Sequence, residues 1–495
     1  MKTVWRIVLC VIGIAGLMGT GYAWIVSSPP GASPDDDYHQ TSIWCPRPIE
    51  DHCTIVGTDD SGHPIVDVPQ TVVLSAPAFA FSKETSAYNL LGLSDEVPQG
   101  TNRVDDGDYP GYYYTFMHMF VEDDVDRAIL VMRWVNFSFA VVLYGAALLL
   151  LGGAQRRLLT YTLICGALPI NLYFTTSINP SSWAFTGVVS LWIGLEGFFT
   201  SHGARRVGLG CVAILGTVLA AAARTDSAMY CAIIAFAMTV FHFRGVWKRK
   251  LLLFLPLAAA LVGSLSYLST RQASTLTVVS ESGEAQVWTF WGSVSLFLSN
   301  VAHLPAFLLR FWTMDLGWSD VPSPYSLGIC LLLITIVWVG YCFIRGRCDW
   351  HKVAALVIVG GSIYGLPVLF MQMQKTYLGV WGFQARYIFP LMMVFFGVAM
   401  TGSPRTDPPR LPWWLSIPCL VALLIAHGRL LHILIRRYVT GLDVTGFNLN
   451  PGAEWWRGAG PSPMGTWILG TAGLAVALAS YLVLTTTSRR ADSSR

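Results

Sequence analysis

The run IVLCVIGIAGLMGTGYAWI, residues 7–25, carries no charge over nineteen positions, about the number an α-helix needs to cross a ~30 Å hydrocarbon core. Lys2 and Arg6 precede it, as basic residues do in a secretory signal. The run is too long for a signal and lacks a convincing small-residue cleavage site, so it reads as an uncleaved first transmembrane helix. Apolar runs of this kind recur along all 495 residues, of which 54% are hydrophobic and 12% charged. The chain is expected to be an all-α polytopic membrane protein, one membrane domain over 1–495.

Positive charge orients it. Short loops hold Arg156-Arg157, Arg205-Arg206, Arg244 with Lys248-Arg249-Lys250, Arg345 with Arg347 and Lys352, Arg405 with Arg410, and the tail Arg489-Arg490. They alternate with acidic or neutral connections, and basic short loops stay in the cytoplasm. With both termini inside, spans fall near 7–25, 128–151, 158–175, 183–200, 208–223, 228–243, 251–268, 326–344, 353–370, 386–402, 411–427 and 465–486, a bundle of about twelve helices. Val287 to Phe311 is left out of that count. Counting it would put the Arg345 to Lys352 loop outside and invert every later basic loop, and Pro305 interrupts it. It is expected to lie on the outer surface or dip partway in, with Trp288, Trp291 and Trp312 at the interface.

The same parity places a large loop, 28–127, outside as a candidate small domain, with further outer segments at 269–325 and 428–464, the last carrying Arg436-Arg437. Cys45 and Cys53 are the two cysteines in outer loops. Across a short loop in an oxidising compartment they are expected to form a disulfide. The net charge of +3 is an average over two oppositely biased faces and gives no reason to expect nucleic-acid binding.

Pro34-Asp35-Asp36-Asp37-Tyr38-His39 follows the first span closely, which sets three carboxylates and an imidazole at a membrane surface. Carboxylates this crowded favour a bound cation, a raised pKa that makes a proton acceptor, or full solvation. A second group, Asp105, Asp106 and Asp108 before Tyr109, reads either as part of a metal or acceptor site or as a flexible acidic turn around Gly107. Arg224 and Arg386, at the outer ends of helices, are candidates to hold an anion. Their structural alternatives are a pair between Arg224 and Asp226 and an interfacial anchor at Arg386-Tyr387. A lone histidine such as His39 is more often a satisfied surface residue than a ligand.

Four stretches carry a family resemblance. Residues 34–39 resemble the PDExxH motif of the bacterial membrane-protein family known as domain of unknown function 2142, with Asp36 in place of Glu. Tyr109-Pro110-Gly111-Tyr112-Tyr113-Tyr114, Asn179-Pro180-Ser181 and Gln384-Ala385-Arg386-Tyr387-Ile388-Phe389-Pro390 also match, in order, the last departing from QGRYxxP by Ala385 for Gly. That family resembles the GT-C class of glycosyltransferases, which take sugar from a polyprenyl-phosphate carrier. The resemblance implies a GT-C-like bundle in the bacterial inner (cytoplasmic) membrane, with Asp35 as general base and Asp36 and His39 beside it. Arg224, Arg386 and Tyr387 would bind the donor phosphate, and Asp36 with Asp37 would hold a divalent cation such as Mg, Mn or Ca. The acceptor would be an envelope glycan, glycolipid or protein. Such a transfer needs a positioned base and positive charge beside the leaving phosphate. The competing classes are a transporter or flippase, which usually places charges near mid-membrane and often shows repeats, and a non-catalytic envelope assembly protein.

Overall fold

The computed structural model describes residues 2–271, 289–379, 383–402, 408–458 and 460–493. It is an all-α polytopic membrane protein. Among the described residues ten helices are long and apolar enough to cross a bilayer, or eleven if the pair Gly153–Gly166 and Pro169–Thr175 is one span. Three local causes separate this from the expected twelve. The span expected at 158–175 bends by 97° between those two helices. Leu168, before Pro169, is extended at φ −75° and ψ 147°, as steric conflict with the proline ring requires. The spans expected at 228–243 and 386–402 are helices Thr225–Phe241 and Ala385–Met400, of 17 and 16 residues. At 1.5 Å per residue each is about 25 Å long, and each is largely buried among its neighbours.

The segment left out of the sequence count forms one helix, Phe290–Thr313, of 24 residues with Pro305 inside, and it too is long and apolar enough to cross a bilayer. Several of its polar contacts follow the end of helix Trp350–Met373 and the connection after it. Ser293 O accepts from Gln372 Nε2 (3.0 Å), Asn300 bonds Thr376 O (3.2 Å) and Leu378 N (2.8 Å), and Arg310 donates to Gly379 O (3.4 Å). Trp291 is exposed, but Trp312 is buried, its indole N–H on Thr335 Oγ1 at 3.3 Å, and so is not an interfacial anchor. Trp288 and Arg405 lie outside the described residues.

Helix Trp413–Val439 runs twelve residues past the end expected at 427. Arg436 and Arg437, expected in a loop, are buried on its last turns. Arg437 is accommodated because Asp320 (2.6 Å) and the carbonyls of Phe79 (2.7 Å) and Thr85 take up its guanidinium, which offsets the cost of desolvating it. The first and last long helices meet backbone to backbone. A Cβ on Gly16 would sit 2.5 Å from Gly473 O, and one on Gly473 2.5 Å from Gly16 O, the small-residue contact that membrane helices use.

Between the first two long helices, residues 28–127 fold into a small unit. Strands β1 (Ile55–Thr58), β2 (Pro64–Pro69) and β3 (Pro98–Thr101) form an antiparallel sheet in that order. Helices Asp36–Trp44 and Tyr112–His118 pack beside it and share its core of Ile43, Val66, Val68, Tyr114 and Met117. Cys45 and Cys53 are joined in a disulfide with Cα atoms 5.5 Å apart.

Candidate functional site

The chain leaves its first helix through Ser27-Ser28-Pro29-Pro30-Gly31, and buried Arg133 grips that exit by donating to the carbonyls of Ile25 (3.0 Å), Ser28 (2.6 Å) and Pro29 (2.8 Å). Gly31, at φ 76°, passes so close to residue 76 that a Cβ there would lie 2.4 Å from Ala76 N. Tyr173 O–H and Asn179 Nδ2 then bind the carbonyls of Ala32 (2.7 Å) and Pro34 (3.0 Å). Asp36 Oδ2 accepts from Ser33 N at 2.9 Å, and Asp36 N donates to Ser33 O at 3.0 Å. So anchored, Asp35 is forced to φ 62°, ψ 19° at the start of helix Asp36–Trp44, a left-handed conformation that non-glycine residues hold only when their surroundings impose it.

Asp35 does not cap the helix it precedes. Its side chain is 38% exposed, with Oδ2 3.1 Å from Arg386 and Oδ1 3.8 Å from Arg103. Arg386 is only 5% exposed. It lies over the rings of Phe174 and Tyr387, both at 5.2 Å, and its Nε is buried without a hydrogen-bond partner. Arg386 also lines a narrow apolar crevice with Ile170, Phe185, Phe311, Met314 and Phe389.

The other sequence candidates divide. Arg224 is held by Asp226 through two bonds, 3.0 and 3.3 Å, with its guanidinium 4.1 Å from the Tyr387 ring and 5.8 Å from that of Tyr109. It is a strut under Tyr387, its charge already matched. His39 is buried and not a surface residue, with Nδ1 2.9 Å from Tyr114 O–H and its ring against Tyr38 and Tyr109. Burial, with Arg224 and Arg386 nearby, holds its imidazole well below the usual histidine range. It is a neutral packing partner of the tyrosines.

The expected cation pair at Asp36 and Asp37 does not form. Asp36 is fully buried under the loop, where desolvation pushes its carboxyl up to about 7. Asp37 turns the other way into a two-bond pair with Arg103, at 2.8 and 3.3 Å. Among the described residues no group of three or more His, Cys, Asp or Glu is arranged to hold a metal. The second acidic group is likewise neither a shared site nor a loose turn. Asp105 is buried and bonds Tyr38 O–H (3.1 Å), Tyr109 N (2.9 Å) and Arg47 (3.2 Å); Asp106 pairs with His63 (2.8 Å) and Arg271 (2.9 Å); Asp108 O takes Thr225 O–H at 3.5 Å. The carboxylates of Asp105 and Asp106 each have their own partners, and Asp108 is tied in through its backbone carbonyl.

Sequence reasoning missed Arg103 and Arg133. An arginine inside an expected span was a signal for Arg133. Arg103 gave none, since its role depends on the fold of β3. The four motif stretches meet in one place. Tyr113 O–H bonds Ile178 O, Tyr114 bonds His39, Asn179 holds Pro34, and Arg386 reaches Asp35.

These features define a polytopic helical membrane protein whose extended first connection folds over a half-open carboxylate paired with a buried arginine. The chain belongs to the DUF2142 family, described as predicted membrane proteins, whose model matches residues 18–395 and so includes all four stretches. No curated protein matches the chain.

Proposed function

We propose that this protein is a GT-C-type membrane glycosyltransferase that moves a sugar from a polyprenyl-phosphate donor to an envelope glycan, glycolipid or protein. Catalysis would take place on the extracytoplasmic face of the bacterial cytoplasmic membrane, with both termini in the cytoplasm. The observation that carries the proposal is the strained, solvent-facing Asp35 beside a desolvated arginine with a spare N–H. Asp35 takes the proton of the acceptor hydroxyl as that oxygen bonds to the anomeric carbon. The bond from that carbon to the phosphate oxygen breaks, and polyprenyl phosphate leaves against Arg386, whose charge stabilises it. No step runs through a cation, because Asp36 and Asp37 face apart and each is otherwise engaged.

The test is transfer from defined polyprenyl-phosphate sugars by membranes holding wild type or Asp35→Asn. The variant conserves volume, so it is expected to express and bind donor while its rate falls about 10²–10⁴-fold, the usual loss when a positioned base is removed. Transfer at the wild-type rate would refute the assignment. A wild type that transfers nothing but moves a lipid across the bilayer would make it a flippase.

A further inference from the structure

We propose that Phe81 and Trp318 form a stacking platform for a pyranose ring of the acceptor, a subsite that rests on the transfer reaction proposed above. Phe81 is 75% exposed and has φ 65°. A bulky residue in the left-handed region is a costly outlier, and so exposed a ring gains little burial to offset it. Its ring centroid lies 5.4 Å from that of Trp318, with the planes at 63°.

Trp318 stands at the tip of a rigid hairpin. Leu316 and Val321 exchange backbone hydrogen bonds (3.0 and 3.3 Å), and Asp315 Oδ1 accepts from Ser323 N (2.7 Å). Asp320 binds Trp318 N (3.0 Å) through one oxygen and buried Arg437 (2.6 Å) through the other. Gly317 (φ 59°) and Ser319 (φ 63°) on either side are both left-handed. The indole N–H donates to Gly31 O at 2.8 Å. Gly31 is four residues before Asp35, no more than about 14 Å of extended chain. Phe311 and Met314, which lead into this hairpin, line the crevice beside Arg386. The platform is thus tethered through Gly31 to the segment that carries the carboxylate, at a separation a short oligosaccharide can span.

A pyranose presents a C–H face that packs on an aromatic ring, and hydroxyls that need polar neighbours. Lys83 and Glu84, both exposed, lie on the turn that follows Phe81. Aromatic residues also collect at the bilayer interface, but there the indole N–H serves lipid headgroups and water, whereas that of Trp318 is committed to Gly31.

Phe81→Gly removes the ring and suits the backbone. Reconstituted full-length protein is offered a panel of immobilised bacterial envelope oligosaccharides without donor. Wild type is expected to bind at least one pyranose-containing member, and Phe81→Gly to bind it about three- to tenfold more weakly, with an unfolding temperature unchanged or raised. No binding by wild type, or equal binding by the variant, would overturn the proposal. So would quenching by brominated-acyl phosphatidylcholine of the emission that Trp318→Phe removes, which would place the ring in lipid. Because no donor is present, a protein that proves inactive in transfer still gives a decisive answer here.

Discussion

Between Asp35 and Asp36 the backbone passes from left-handed to helical, and the two carboxylates part company. Asp35 faces solvent and Arg386; Asp36 is sealed beneath the loop with one oxygen unpartnered. Because burial raises Asp36 from 3.8 to about 7, the folded state binds a proton that the unfolded state has released between those values. Stability therefore falls as pH rises through that window. Asp36→Asn keeps an acceptor for Ser33 N–H and cannot ionise. Its thermal stability relative to wild type is expected to rise from about pH 4 to pH 7 and then level off, measured as unfolding temperature against pH; a difference independent of pH would show that Asp36 is ionised in the fold. Arg386→Ala should abolish binding of a polyprenyl-phosphate sugar, since a desolvated guanidinium whose Nε is left over beyond its pair with Asp35 is suited to an anion. Unchanged donor binding would return Arg386 to a structural role.

At the scale of elements, the small unit depends on links that close its loops. The disulfide between Cys45 and Cys53 joins residues eight apart directly after the helix that begins at Asp36. Closing so short a loop contributes about 2–3 kcal/mol in the chain-entropy model. Cys45→Ala with Cys53→Ala is expected to lower the unfolding free energy by roughly that amount and to raise protease sensitivity within 36–69. Equal stability, or two free thiols in unreduced unfolded protein, would remove the disulfide from the account. The break at Leu168-Pro169 has a similar local role. It lets helix Pro169–Thr175 turn and deliver Tyr173 to Ala32 O and Phe174 to the underside of Arg386.

For the whole molecule, the decisive question is which end of the bundle faces out. The basic loops predict that residues 28–127 are extracytoplasmic. Single cysteines at positions 60 and 249, labelled in intact cells with a membrane-impermeant maleimide, should react at 60 and stay protected at 249. The reverse pattern would overturn the orientation and with it access to a lipid-linked donor on the outer leaflet. The Gly16 and Gly473 contact brings the first and last long helices together backbone to backbone.

Composition and apolar periodicity by themselves determined the polytopic helical class and the extended first connection, because burial in lipid selects residue type directly and locally, while the four stretches were legible through their resemblance to the family's motifs. The pairing of Arg224 with Asp226, two positions apart, was one of the two readings the local sequence offered, beside anion binding. Which of three consecutive carboxylates stays open was decided by tertiary structure. Asp35 meets Arg386 across 351 residues, Asp37 meets Arg103 across 66, and Asp36 sinks under a loop pinned by Arg133 from the next long helix. A charge is tolerated or activated according to the partners that solvate it, and those partners become neighbours only when the helices pack.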